Sequence, residues 1–227
     1  MRIEEVLDHY DIGRTLEILP CKGGTANQNF RVETDRGSFF AKCRVPRLSK
    51  ADLVRFEHAL LRHLANDGLP VFPPEALREG SDTFILDEDR IWEVTRFCEG
   101  TTFAGSSREI ESAALTLGRV HCSMASLDVP SSIMDRPIHE NRAQIADSLE
   151  QAASVLSHPS LVKQREAMAR CFARLEDEYY GRIDASLQRG VIHGDYHPLN
   201  MLFDEGGTIV GVFDFNAAGW QIPLRDV

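Results

Sequence analysis

Residues 191–200 read Val191-Ile192-His193-Gly194-Asp195-Tyr196-His197-Pro198-Leu199-Asn200, and nineteen residues after Asp195 an apolar run ends in Phe213-Asp214-Phe215. No other stretch of the chain constrains its fold as much. A loop dense in polar side chains lies between two apolar runs that read as buried strands, with Glu205-Gly206-Gly207 as the turn of a flanking hairpin. His-x-Asp-x-x-x-x-Asn followed by a second aspartate is the spacing that phosphoryl transfer needs. Asp195 would orient the attacking hydroxyl, while the Asn200 amide oxygen and the Asp214 carboxylate would hold Mg²⁺ on nucleotide phosphates.

Such a site also needs a cation for the phosphates. Lys42 lies in Ser38-Phe39-Phe40-Ala41-Lys42-Cys43-Arg44, an apolar and aromatic run that predicts a strand. A helix is predicted from Ser49, read as an N-cap with Asp52 three residues on, to Asn66-Asp67-Gly68, where glycine can close it. At about 100° per residue, Leu53, Phe56, Leu60, Leu61 and Leu64 form one apolar arc, with Arg55, His58 and Arg62 opposite. Glu57 falls within the apolar arc. An ionised carboxylate there costs several kcal/mol unless paired, and Lys42 on the preceding strand is the expected partner.

Ahead of Lys42, a strand at 16–20, the loop Cys21-Lys22-Gly23-Gly24-Thr25-Ala26-Asn27-Gln28-Asn29 and a strand at 30–34 follow one another. Gly23 and Gly24, followed by small and amide side chains including Asn27, let backbone N–H groups approach phosphate oxygens. The loop is neither a Walker A loop nor G-x-G-x-x-G, so those nucleotide folds are not supported.

The order Gly24-x-x-Asn27-x-x-Phe30, Lys42, Glu57, His193-Gly194-Asp195-x-His197-x-x-Asn200 and Asp214-Phe215 resembles the aminoglycoside phosphotransferase and choline kinase superfamily. Leu117-Gly118-x-x-His121, on a helix capped by Ser106 and Glu109, resembles that family's leucine-glycine and histidine pattern. The resemblance covers residues 15 to 227 and implies an α+β, protein-kinase-like fold of two lobes. Residues 1–95 would form the N-terminal nucleotide-binding lobe, an antiparallel sheet plus one helix, and 96–100 the hinge. Residues 101–227 would form a mostly helical catalytic lobe. It also implies Asp195 as catalytic base, Asn200 and Asp214 as Mg²⁺ ligands, Lys42 as the phosphate-binding lysine and Glu57 as its partner. His193 would shape the catalytic loop.

Two departures stand out. Asn216 occupies a position that is often acidic in the family, so a second metal ion would be held differently. The chain reaches Pro223-Leu224-Arg225-Asp226-Val227 where relatives continue from an aspartate into further helices, so either the sequence is a piece of a longer chain or the protein is a shortened one with part of the acceptor pocket missing.

Composition narrows the partners. With 43% apolar residues in 227, the chain can bury a sizeable core. A net charge of −10 without a basic cluster argues against nucleic acid and mildly favours amine-bearing acceptors. Cys21, Cys43, Cys98, Cys122 and Cys171 are odd in number and lack C-x-x-C, which predicts reduced thiols in a cytoplasmic protein. No apolar run approaches the roughly twenty residues of a membrane span. Hairpin strands are predicted at 82–86 and 90–95, and helices at 106–126, 138–156 and 160–188, the last carrying Leu161, Ala167, Cys171, Phe172 and Leu175 at helical spacing.

The expected function is transfer of the γ-phosphoryl group of ATP or GTP to a hydroxyl of an aminoglycoside, amino alcohol, homoserine or sugar. Two other readings use the same residues. A non-catalytic kinase-like protein would bind nucleotide and transfer nothing. A metal-dependent hydrolase would use His193, Asp195 and His197, on alternate loop positions, and would leave Lys42 and Glu57 without a role.

Overall fold

The computed structural model describes residues 1–21, 27–134, 147, 151, 159–174 and 187–227. They form two compact units. The first comprises Met1–Asp128, His193–Ala218 and Asp226, and the second Val129–Ile192, Gly219–Arg225 and Val227.

The first unit opens with a short helix, α1 (Ile3–Leu7), then a sheet of β1 (Thr15–Pro20), β2 (Gln28–Thr34), β3 (Gly37–Arg44), β4 (Phe84–Asp87) and β5 (Arg90–Arg96). Its strand order is β1-β2-β3-β5-β4, and every neighbouring pair is antiparallel. Side chains alternate between the two faces of a strand. One face therefore carries Val32, Phe39, Ala41, Cys43, Trp92 and Val94, which pack with Val6, Leu7, Tyr10 and Ile12 into a buried cluster. The other face carries Asn29, Lys42 and Glu93 in one row, because Lys42 pairs in register with both. The strands expected on either side of the glycine loop, the Lys42 strand and the hairpin strands are all present, with boundaries shifted by one or two residues.

Helix α2 (Ala51–Asn66) is bonded to that second face through Glu57 to Arg44 and His58 to Glu93. Val54 packs with Phe84 and Ile91 in a small apolar cluster. The helix closes as expected, with Gly68 at φ +73 and the Gly68 and Leu69 amides donating to the carbonyls of Ala65 and Leu64. Its start differs. Ser49 is not the cap: Lys50 is, and makes no side-chain cap bond. The Ser49 hydroxyl instead donates to the Arg44 and Val45 carbonyls and accepts the Ile91 amide, tying the β3–α2 connection to β5. His58, expected on the polar side with Arg55 and Arg62, is buried, while Leu53 is only partly so.

Helix α3 (Ser107–Met124) begins with the expected reciprocal cap, Ser106 accepting the Glu109 amide and Glu109 accepting the Ser106 amide. In the second unit, α4 (Ser131–Met134) lies against a two-stranded ladder of β6 (Gly190–Ile192) and β9 (Gly219–Gln221). The helix expected over 138–156 falls largely outside the described residues. Of the one expected over 160–188, α5 (Pro159–Arg174) is described, with Ala167 and Cys171 exposed and Phe172 half-buried. In the first unit, β7 (Met201–Phe203) and β8 (Ile209–Val212) make the hairpin turned by Glu205-Gly206-Gly207.

Candidate active site

A cleft of about 970 Å³ within the first unit is lined by Lys42 from β3, Asp195, His197 and Asn200 from the loop before β7, and Asp214 after β8. The hairpin brings the last two together. The Phe213 amide donates to the Asn200 carbonyl at 3.0 Å, so the residue before Asp214 is bonded directly to Asn200. Asp214 itself sits in the left-handed region at φ 63, ψ 53, and its Oδ1 accepts from the Lys42 ammonium at 3.3 Å and from Asn216 Nδ2 at 2.8 Å. Asn216, where family members are often acidic, thus orients the carboxylate rather than adding a second one.

The loop from His193 to Asn200 is fastened from below. His193, with no exposed surface, donates from Nε2 to the Phe213 carbonyl at 2.9 Å and accepts the Asp195 amide on Nδ1. Burial lowers the pKa of its imidazole, outweighing the nearby carboxylates. The neutral ring therefore shapes the loop, with both nitrogens committed. Asp226 accepts the His193 amide at 2.8 Å on Oδ2 and the Gly194 amide at 2.7 Å on Oδ1. His121 of α3 donates to the same carboxylate at 2.9 Å, which gives the leucine-glycine and histidine pattern its purpose. Burial pushes the Asp226 carboxyl up, but His121 and the two amides more than reverse this, and it stays below the ordinary value. Gly194 has φ +81, and a Cβ there would lie 2.3 Å from the Ala217 carbonyl oxygen. Tyr196 ties the loop to α3 through the Ala113 carbonyl at 2.8 Å.

At the cleft, Asn200 Nδ2 donates to the Asp195 carbonyl at 3.0 Å and to Asp195 Oδ2 at 3.1 Å. Its amide oxygen therefore stays available. His197 accepts the Leu199 amide on Nδ1, leaving Nε2–H to face Asp195 Oδ1 at 3.5 Å. Asp214 and Asn200 offer hard oxygen donors, and no cluster of three or more His, Cys, Asp or Glu ligands exists among the described residues. That donor set suits Mg²⁺, which keeps water and phosphate oxygens in its shell and takes few protein ligands. It does not suit the hydrolase reading. His193 is sealed under the loop with its ring nitrogens occupied, so it cannot join Asp195 and His197 around an ion.

One expected pair is replaced. Glu57 is bonded not to Lys42 but to Arg44, at 2.7 and 2.8 Å. Lys42 and Arg44 stand two residues apart on one face of β3, so the spacing allowed either cation. Arg44 prevails because its guanidinium fork also reaches Glu93, which a single ammonium could not do at both carboxylates. The lysine-x-arginine alternation was the available signal. Glu57 still lines the cleft, as does Asn27, whose side-chain oxygen accepts the Val45 amide at 3.1 Å. Gly23 and Gly24 lie outside the described residues. The side-chain oxygen of Asn29, also on the cleft wall, is buried without a hydrogen-bond partner among the described residues.

A family model described as "Phosphotransferase enzyme family" matches residues 17–227. The homoserine kinase of Afipia carboxidovorans is 29% identical over 231 residues, which cover 99% of this chain and 65% of that protein. A homoserine kinase of Rhodopseudomonas palustris is 30% identical over 232 residues with the same coverage. The chain thus spans about 65% of the length of these curated relatives. Among solved structures, an aminoglycoside phosphotransferase from Alicyclobacillus acidocaldarius matches with a TM-score of 0.68 at 19% identity, over 100% of this chain and 69% of that one. Amicoumacin kinase in complex with AMP-PNP and Ca²⁺ matches at 0.67 and 16% identity, over 99% and 70%. These likenesses show the fold to be the protein-kinase-like α+β fold expected from the sequence.

Proposed function

The chain belongs to the phosphotransferase enzyme family, and on that premise we propose that it moves the terminal phosphoryl group of ATP to a hydroxyl of a small molecule. The observation that carries this reading is the convergence in one cleft of Lys42, Asp214, Asn200 and Asp195. In this reading residues 1–95 supply the nucleotide lobe, 96–100 the hinge and 101–227 the catalytic side chains.

Asp195 accepts the proton of the acceptor hydroxyl as its oxygen bonds to the terminal phosphorus. The bond from that phosphorus to the β–γ bridging oxygen breaks, and its electron pair leaves with ADP. The Asn200 amide, bonded to Asp195, holds the carboxylate in place, and His197 Nε2–H supports the same carboxylate from the side. Lys42 offsets negative charge on the phosphates. Asn200 Oδ1 and Asp214 would hold Mg²⁺, which when bound neutralises the phosphate oxygens. The side chains form no covalent intermediate, so rate comes from positioning and electrostatics.

Homoserine is the first acceptor to test, because the curated relatives are homoserine kinases. Choline, aminoglycosides and sugar alcohols complete the panel. The experiment is ³¹P NMR of the chain with ATP, Mg²⁺ and each acceptor, beside Asp195→Asn. One acceptor should yield a phosphomonoester and ADP, and Asp195→Asn should lower that rate by about 10²–10⁴-fold. Undiminished transfer by Asp195→Asn would overturn the assignment of the base. Nucleotide binding with no transfer to any acceptor or to water would favour a binding protein instead.

A further inference from the structure

Arg44 is 2% exposed, and both carboxylates it touches are nearly as buried, Glu57 at 6% and Glu93 at 5%. It donates to Glu57 through Nη1 and Nη2 at 2.7 and 2.8 Å, and to Glu93 through Nε and Nη2 at 3.0 and 2.8 Å. His58 of α2, 1% exposed, bonds Glu93 through Nε2 at 2.7 Å and the Thr83 hydroxyl through Nδ1 at 2.7 Å. These contacts bind α2 to β3, to β5 and to the segment entering β4. Lys42 makes none of them. Its ammonium bonds Asp214.

We propose that Arg44 is a positioning residue of the nucleotide site: it holds Glu57, and with it α2, against the sheet, and so leaves Lys42 free to serve Asp214 and the nucleotide phosphates. The proposal rests on reading the cleft as a nucleotide site. A planar guanidinium suits the task because it stays charged when buried and can bond two carboxylates in fixed directions, whereas an ammonium acts as a point charge. Burial pushes Glu93 up, and Arg44, His58 and Lys42 together more than reverse this. The lysine thus acts on the cluster through space, without carrying α2. Glu57 accordingly acts through Arg44, and its effect on nucleotide affinity is independent of Lys42.

The test combines two measurements on the full chain, thermal unfolding without nucleotide and ATP·Mg²⁺ affinity by calorimetry. The chains are wild type, Lys42→Met, Glu57→Gln, Arg44→Met, Arg44→Lys and the double variants pairing Glu57→Gln with Lys42→Met or Arg44→Met. Lys42→Met should move the unfolding midpoint by no more than about 2 °C, since Asp214 remains partly solvated. Arg44→Met strands two buried carboxylates and should lower the midpoint by about 6 °C or more, with Arg44→Lys recovering under half of the loss. In affinity, Lys42→Met should weaken ATP by roughly 10–100-fold. Glu57→Gln should weaken it by the same factor, within about twofold, in the wild-type and Lys42→Met backgrounds, and should add almost nothing to Arg44→Met.

If Glu57→Gln weakens ATP in the wild type but has no effect in Lys42→Met, Glu57 works through the lysine and the proposal fails. It also fails if Arg44→Met unfolds with the wild-type midpoint. Should Arg44→Met not fold, the Glu57→Gln and Lys42→Met cycle and the Arg44→Lys midpoint give the same decision. No ATP binding to the wild type would instead reject the nucleotide reading, while the midpoints would still decide whether Arg44 carries α2.

Discussion

Lys42 Nζ lies 3.3 Å from Asp214 Oδ1, so the cation proposed for the phosphates and the carboxylate proposed for the metal form an ion pair. In the proposed reading, phosphate oxygens add to the partners of the lysine and a divalent cation adds to those of Asp214. Nucleotide and metal are therefore expected to bind together. At a hundred times its dissociation constant, ATP should add about 2.7 kcal/mol to the folded state. For a chain of this size that is a rise in Tm of about 5–11 °C. Differential scanning fluorimetry should show the rise only with Mg²⁺, and Asp214→Ala should abolish the Mg²⁺ requirement together with most of the rise. An equal Mg²⁺-dependent rise in Asp214→Ala would remove Asp214 from the metal site.

Asp226 holds the loop from His193 to Asn200 by that loop's backbone. Replacing it with alanine leaves the buried amide of His193 and the part-buried amide of Gly194 without their acceptor, and His121 without its carboxylate. The expected cost is about 3–5 kcal/mol in urea unfolding, whereas His121→Ala, which removes one partly exposed donor, should cost about 1 kcal/mol. Equal costs for the two variants would show that the amides do not depend on Asp226.

Gly194 has a steric role that no side chain can fill. Its φ of +81 already disfavours other residues, and the 2.3 Å approach to the Ala217 carbonyl forces the turn before Gly219 to move. Gly194→Ala should destabilise by at least about 2 kcal/mol, with a fall in activity larger than the loss of folded chain explains. Wild-type stability and turnover would show that the loop tolerates a shift there.

Stability should fall on acidification, and the sign follows from the shifts. His193, Glu93 and Asp226 all have folded pKa values below their ordinary values of 6.5, 4.5 and 3.8. For each, the unfolded chain binds more protons as pH falls, so the stabilisation is fully present above the ordinary value and is lost below it. Unfolding free energy should be level near pH 7 to 8, decline below about pH 6.5 as His193 is drawn into charging, and steepen below about 4.5. Asp226→Asn should flatten the last part of that decline by up to one proton, about 1.4 kcal/mol per pH unit. A profile that rises toward acid would contradict all three assignments.

Local patterns in the sequence carried much of this protein. The apolar and aromatic run Ser38–Arg44 announced a strand carrying Lys42, and Ser106 with Glu109 announced the start of α3. The spacing from His193 to Asp214 announced a loop holding Asp195 and Asn200, with Asp214 at the end of the hairpin that follows it. Each of these is settled within a few residues of backbone, by side-chain direction or by a hydrogen bond to a neighbouring amide, so the order of residues suffices. The Ser49 cap failed because a serine hydroxyl has competing backbone partners, and here the Ile91 amide, from a strand distant in sequence, claimed it.

What only the tertiary structure decided was which partners met. Lys42 and Arg44 were equally placed for Glu57 by spacing, and the choice turned on Glu93, brought alongside by the pairing of β3 with β5. The same carboxylate drew His58 off the polar side of α2 and into the core. Asp226 gave no local sign of its task, because the amides it accepts belong to a loop more than thirty residues earlier. A buried charge takes whichever counter-charge the folded chain delivers within hydrogen-bond reach. That distance is a property of packed elements, and no periodicity along the chain encodes it.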